Sequence, residues 1–199
     1  MRTVQAVAWK EIQIYFSSPM AYLVALIFLA VTGFFFVKDL TDPFPEASLS
    51  NLFFGASLVI VLLAPALTMR LLAEEQKLGT IELLLTSPVK DWEIIIGKYV
   101  SSLVFFLALI GLTIYYPILL FIFGQPDSGP IYSGYLGLIL YSGAALAIGI
   151  LTSTLTNNQI VAFAVAAGIL LLLYFADTGT GVVGGAWSNL VTEIGMSSH

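Results

Sequence analysis

Uncharged stretches long enough to cross a bilayer recur along this chain, and nothing constrains its fold more. Between Glu11 and Lys38, Glu46 and Arg70, Lys98 and Asp127, and Asp127 and Asp177 there is no Asp, Glu, Lys or Arg. Each gap exceeds the about 20 apolar residues that a helix needs to span hydrocarbon. Only 10% of the 199 residues are charged and 59% are apolar, whereas about a quarter of a soluble domain is charged. The chain therefore reads as an all-α integral membrane protein, a single transmembrane domain over 1–199.

The segment 1–19 carries Arg2, Lys10 and Glu11. On a helical wheel Ala6, Lys10, Gln13 and Ser17 form a polar strip, opposite a wide apolar face of Val4, Val7, Ala8, Ile12, Tyr15 and Phe16 interrupted by Gln5 and Glu11. That pattern predicts an amphipathic helix in the membrane interface, with Lys10, Glu11 and Phe16 as its marker residues. A signal peptide does not fit, because the apolar run from Met20 is too long and no small-residue cleavage site follows. Spans are expected at 20–37, 52–72, 99–123, 131–155 and 160–175, with Pro65 kinking the second near one end. The Gly-rich segment 176–199 is left as a tail.

Lys and Arg gather on the cytoplasmic side of membrane proteins. With the amino terminus inside, Arg2, Lys10, Arg70, Lys77, Lys90 and Lys98 are cytoplasmic and Lys38 alone is outside. Five spans then leave 176–199 on the outer face. Ending there after an odd number of spans suggests that a sixth, carboxyl-terminal span is missing from this sequence. The net charge of −5 forms no block and indicates no nucleic-acid partner.

The polar stretch 73–98 reads as helix, break, helix, break, helix. Gly79 can end the extension of the second span, Thr80 can cap a short helix through Leu85, and Ser87-Pro88 stops it. Two turns cannot hold themselves together in water, because nucleation outweighs their few hydrogen bonds. Leu83, Leu84 and Leu85 offer about 1.5–3 kcal/mol each on full burial, and Glu74, Glu75 and Glu82 offer charge to a cytosolic partner. The competing reading rests these leucines on the interface or on neighbouring helices.

Glu74-Glu75, then Gly79-Thr80-Ile81-Glu82-Leu83-Leu84-Leu85, Pro88-Val89, Trp92-Glu93 and Gly97-Lys98 together resemble the cytoplasmic signature of ABC-2-type ABC transporter permeases. Lys10-Glu11, Phe16-Ser17-Ser18-Pro19 and the stretch Thr156 to Phe163 resemble the gliding-motility subgroup most. The resemblance covers essentially the whole chain. It implies six spans, one more than this sequence holds. It implies that the amino-terminal helix and a coupling helix, here Gly79 to Leu85, contact a separate ABC ATPase subunit. It further implies a homo- or heterodimer of permease subunits in a bacterial or archaeal cytoplasmic membrane, exporting or serving motility. ATP and Mg would sit on the ATPase and no cofactor on this chain, since Gly97-Lys98 lacks the rest of a phosphate-binding loop: Trp92 stands where its first glycine would.

Two other classes compete. An ion-coupled transporter commonly places ionisable groups inside its spans; here Lys98 and Asp177 fall at span ends, where snorkelling or interfacial hydration accounts for them. A membrane scaffold of a motility or secretion machine would have the same sequence features without transport. An intramembrane enzyme or a metal site has no support, with no cysteine and one histidine, His199, at the terminus. Gly143, Ala147, Ala145 and Gly149 form two small-xxx-small pairs suited to close helix packing. Tyr115, Tyr116, Tyr132, Tyr135, Tyr174 and Trp187 are expected to form an outer aromatic belt.

Overall fold

The computed structural model describes residues 2–41, 48–73 and 90–175, and its regular structure is all helical. Helix α1 is Arg2–Ser17, α2 Pro19–Thr41, α3 Ser50–Thr68, α4 Asp91–Leu112, α5 Tyr115–Phe123 and α6 Ser128–Thr154. A shorter apolar helix, α7, is Gln159–Phe175. Among the described residues four stretches are long and apolar enough to cross a membrane: α2, α3, Trp92–Phe123 and α6. Their outward faces carry large apolar side chains such as Leu26, Phe34, Leu62, Ile122 and Leu140, as lipid contact requires.

Side-chain contacts fix the relative directions. Helices α2 and α3 form an antiparallel pair, with Asp39 accepting from Asn51 and Phe35 stacking edgewise on Phe54. Helices α3 and α6 run the same way in strict step, since Phe53 meets Tyr135 and lies over Gly134, while Thr68 meets Gly149 and Leu72 meets Ser153. Helix α4 runs against α6, pairing Tyr99 with Gly143 and Thr113 with Tyr135. One end of the bundle therefore collects α1, the start of α2, the end of α3, the start of α4 and the end of α6. The core between these helices is built on Phe28, Ile60, Leu67, Phe106 and Leu146.

Trp92–Phe123 is 32 residues long, which at 1.5 Å per residue is about 48 Å against about 30 Å of hydrocarbon. It is broken once, at Thr113 and Ile114. Pro117 causes the break: it has no N–H for the carbonyl four residues back, that of Thr113. This carbonyl accepts instead from the Tyr116 N–H at 3.0 Å and from the Tyr135 hydroxyl at 2.9 Å. Tyr116 is 2% exposed, with its ring 4.5 Å from that of Phe36. Two of the tyrosines expected in the aromatic belt thus turn inward: Tyr116 is buried against Phe36, and the half-buried Tyr135 reaches in to supply a donor to the Thr113 carbonyl. Tyr132, 73% exposed, has the outward position a belt requires; Trp187 lies outside the described residues.

Pro65 sits inside α3, which ends three residues later at Thr68 and passes into turns at 69–72. The Thr68 hydroxyl donates to the Ala64 carbonyl at 2.8 Å. The second span is thus regular only to Thr68, short of the expected boundary at 72.

Candidate functional site

The polar end of the bundle is assembled around α1. Along α1, Ala8, Glu11 and Tyr15 are buried and Val4, Val7 and Ile12 half-buried, while Ala6, Trp9, Lys10, Gln13 and Phe16 are exposed. Its buried face lies on α4, the most extensive helix contact in the structure. Contacts climb in step along both helices: Val7 at Gly97, Glu11 at Lys98, Tyr15 at Ser102 and Phe105. The two helices therefore run side by side in the same direction. Gly97 makes this approach possible, since a Cβ there would stand 2.8 Å from Val7 Cγ1 and 3.3 Å from the Val4 carbonyl oxygen.

At the centre of this contact Lys98 Nζ donates to Glu11 Oε1 at 2.8 Å. Lys98 is 2% exposed and Glu11 9%. The expectation that Lys98 snorkels into interfacial water is corrected: α1 covers it and supplies the carboxylate. Glu11, read from sequence as an interruption of the apolar face, is the middle of the docking face, and Lys10 beside it points away. One turn further on, the Tyr15 and Ser102 hydroxyls are 3.1 Å apart. Ser102 donates its proton to the Lys98 carbonyl at 2.8 Å, so Tyr15 is the donor. Burial pushes the Tyr15 phenol far above its usual pKa.

Two further ties gather here. Arg70, just past α3, donates to Ser18 Oγ at 3.3 Å, holding the α1–α2 junction. Ser153 of α6 accepts from the Leu72 and Ala73 N–H groups at 3.3 and 3.1 Å and donates to the Met69 carbonyl at 3.3 Å. The chain leaving α3 is thereby held at Ala73 and re-enters at α4. Among the described residues with charged side chains, Lys10, Glu11, Arg70, Lys90, Glu93 and Lys98 lie at this end, and Lys38, Asp39 and Asp127 at the other. No group of three metal-ligating side chains occurs among the described residues.

The expected coupling residues Glu74, Glu75, Gly79, Thr80, Ile81, Glu82, Leu83, Leu84, Leu85 and Pro88 lie outside the described residues, as does Asp177. Of the expected packing residues, Gly143 is buried under the Tyr99 hydroxyl, which donates to its carbonyl at 3.2 Å. Gly149 is buried against Thr68, leaving no room for a Cβ. Ala147 is exposed; α6 is wedged between α3 and α4, and that position turns away from both. Sequence reasoning misplaced Lys98 and gave no role to the Tyr15 and Ser102 hydroxyls, to the Arg70 contact or to Ser153. A legible signal existed for the first: single opposite charges, Glu11 and Lys98, each interrupt an otherwise apolar helix stripe.

Comparison with known proteins adds a second line of observation. A family model described as "ABC-2 family transporter protein" matches residues 5–195. Over 91 residues the chain is 33% identical to "Probable multidrug ABC transporter permease YbhR" of Escherichia coli strain K12, covering 46% of this chain and 24% of that protein. The same figures hold for the protein of that name in Escherichia coli O157:H7. The alignment thus spans about a quarter of the length of these curated relatives. No solved structure matches the chain.

Proposed function

The chain belongs to the ABC-2 family of transporter proteins, and from that we propose that it is the permease subunit of an ABC transporter driven by a separate ATPase polypeptide. It is a multi-pass membrane protein and a transmembrane transporter subunit. On our reading ATP and Mg bind only on the partner, two permease subunits pair as a homo- or heterodimer, and the segment 74–89 with its coupling residues Gly79 to Leu85 seats in the ATPase. The observation that carries this reading is the arrangement of its flanks. Ala73 is pinned by Ser153, and α4 is tied to α1 by Glu11 and Lys98, so a push on the segment is delivered to three packed helices rather than lost in a loose loop.

The direction of transport we propose is outward, supported by a relative named as a multidrug permease. The gathering of Lys10, Arg70, Lys90 and Lys98 at one end of the bundle supports an amino terminus in the cytoplasm of a bacterium or archaeon. Lys10-Glu11, Phe16 to Pro19 and Thr156 to Phe163 support a narrower place in the gliding-motility subgroup.

The test is reconstitution in vesicles with a candidate phosphate-loop ATPase, sought first in the adjacent reading frames. Nucleotide turnover should change when the permease is present, and Glu82→Lys and Gly79→Pro should abolish that change while leaving membrane insertion intact. Unaltered turnover in both variants would remove the coupling assignment. Failure of the two proteins to associate at all would favour a scaffold.

A further inference from the structure

The hold of α1 on α4 includes apolar contact along its length, with Val7 at Gly97 and the rings of Tyr15 and Phe16 at Phe105. Apolar contact is non-directional. Here it supplies one preference of register, because Val7 fits against Gly97, which carries no Cβ. Polar contacts add a second discrimination between seatings. A one-turn slide carries Glu11 from Lys98 to the level of Ile94 or of Ser102, both buried, and neither can neutralise a carboxylate. The Tyr15–Ser102 hydrogen bond, one turn along, fails in the same slide.

We propose that Glu11 and Lys98 act as a register pin, selecting one seating of α1 along α4. Fixing register is the best-attested use of a buried ionic group, since net stability is not what such pairs supply. Arg70 on Ser18 holds the α1–α2 junction from the α3 side, so the pin sets the height of the α4 stem relative to both α2 and α3. One consequence rests on the transporter reading above: α1 and the stem of α4 travel as a single body through the transport cycle.

The chain contains no cysteine, which makes register directly measurable. Phe16→Cys and Phe105→Cys replace rings whose centroids are 6.1 Å apart and are bridged with a short bis-thiol reagent in vesicles carrying the full chain. Into this parent go two changes. One is the apolar double variant Glu11→Leu with Lys98→Leu, which removes the buried pair as a unit. The other is the exchange Glu11→Lys with Lys98→Glu. The exchange should cross-link at the parental rate, and the apolar double variant about tenfold more slowly as its helix spreads over several registers. Equal rates in the apolar variant and the parent overturn the pin, whatever the ATPase does. Turnover is then read separately in the cysteine-free chain. A stable apolar double variant that couples as well as the unsubstituted protein overturns the single-body consequence. An unsubstituted protein that leaves the ATPase unaffected counts against the transporter reading, while the cross-linking rates still decide the pin.

Discussion

Adding one methyl group at Gly97 tests the α1–α4 contact most sharply. A Cβ at this position would lie 2.8 Å from Val7 Cγ1 and 2.9 Å from Val7 Cβ. Carbon atoms settle about 3.5–4.0 Å apart, so the shortfall is about 0.7–1.2 Å. Rotating Val7 cannot relieve it, because its Cβ and the Val4 backbone oxygen are part of the obstruction. Helix α1 must then move outward by about 1 Å, which stretches the 2.8 Å ion pair between Lys98 and Glu11 toward about 3.8 Å, beyond hydrogen-bond range. Overpacking costs about 1–3 kcal/mol, offset in part by up to about 1 kcal/mol of helix propensity gained on replacing glycine by alanine. The expected net for Gly97→Ala is a loss of about 1–2 kcal/mol, read as equilibrium unfolding in mixed detergent and sodium dodecyl sulfate micelles. Val7→Gly, which removes both side-chain obstructions, should recover most of the loss in the double variant, giving a coupling energy of at least about 0.5 kcal/mol. Strict additivity of the two changes would refute the close approach, and a stabilised Gly97→Ala would refute the docking itself.

Other contacts make separate claims. Tyr135→Phe keeps the edgewise ring contact with Phe53 but removes one of two donors to the Thr113 carbonyl; a loss of about 0.6 kcal/mol, at most about 1.7, is expected in the same unfolding assay. That loss should shrink in a Pro117→Ala background, where a backbone N–H becomes available, and equal losses would disprove the role given to Pro117. Gly149→Val drives a side chain into Thr68 and should destabilise by about 1–3 kcal/mol. Gly168→Ala, where a Cβ meets no described atom within 4 Å, serves as its control and should not destabilise.

The spans are legible in the sequence because hydrocarbon imposes a length and forbids charge, and both are properties of single segments. The amphipathic helix is legible for the same reason: the strip through Ala6, Lys10, Gln13 and Ser17 is local, and the structure leaves it exposed. What escapes is relational. Glu11 and Lys98 are 87 positions apart, and nothing near either tells which element will cover it. In isolation a lysine before Tyr99 resembles any snorkelling span terminus. Tyr135 reads from sequence as part of an interfacial belt because its role depends on a proline in another helix. Gly143 and Ala147 share a spacing but not a surroundings: one faces Tyr99, the other faces outward, and only the position of α3 and α4 decides between them.

The equal stride of α3 and α6 has a consequence for how the protein is made. Phe53 waits for Tyr135 and Leu72 for Ser153, about 81 positions later, which at ~5–20 residues per second of synthesis is ~4–16 s. Throughout that interval α3 has its final neighbour on one flank and lipid on the other. Glu11 waits comparably long for Lys98 to emerge, and a carboxylate without its cation stays hydrated. The nascent amino-terminal helix is thereby kept at the water surface until the stem that will cover its charge has been synthesised.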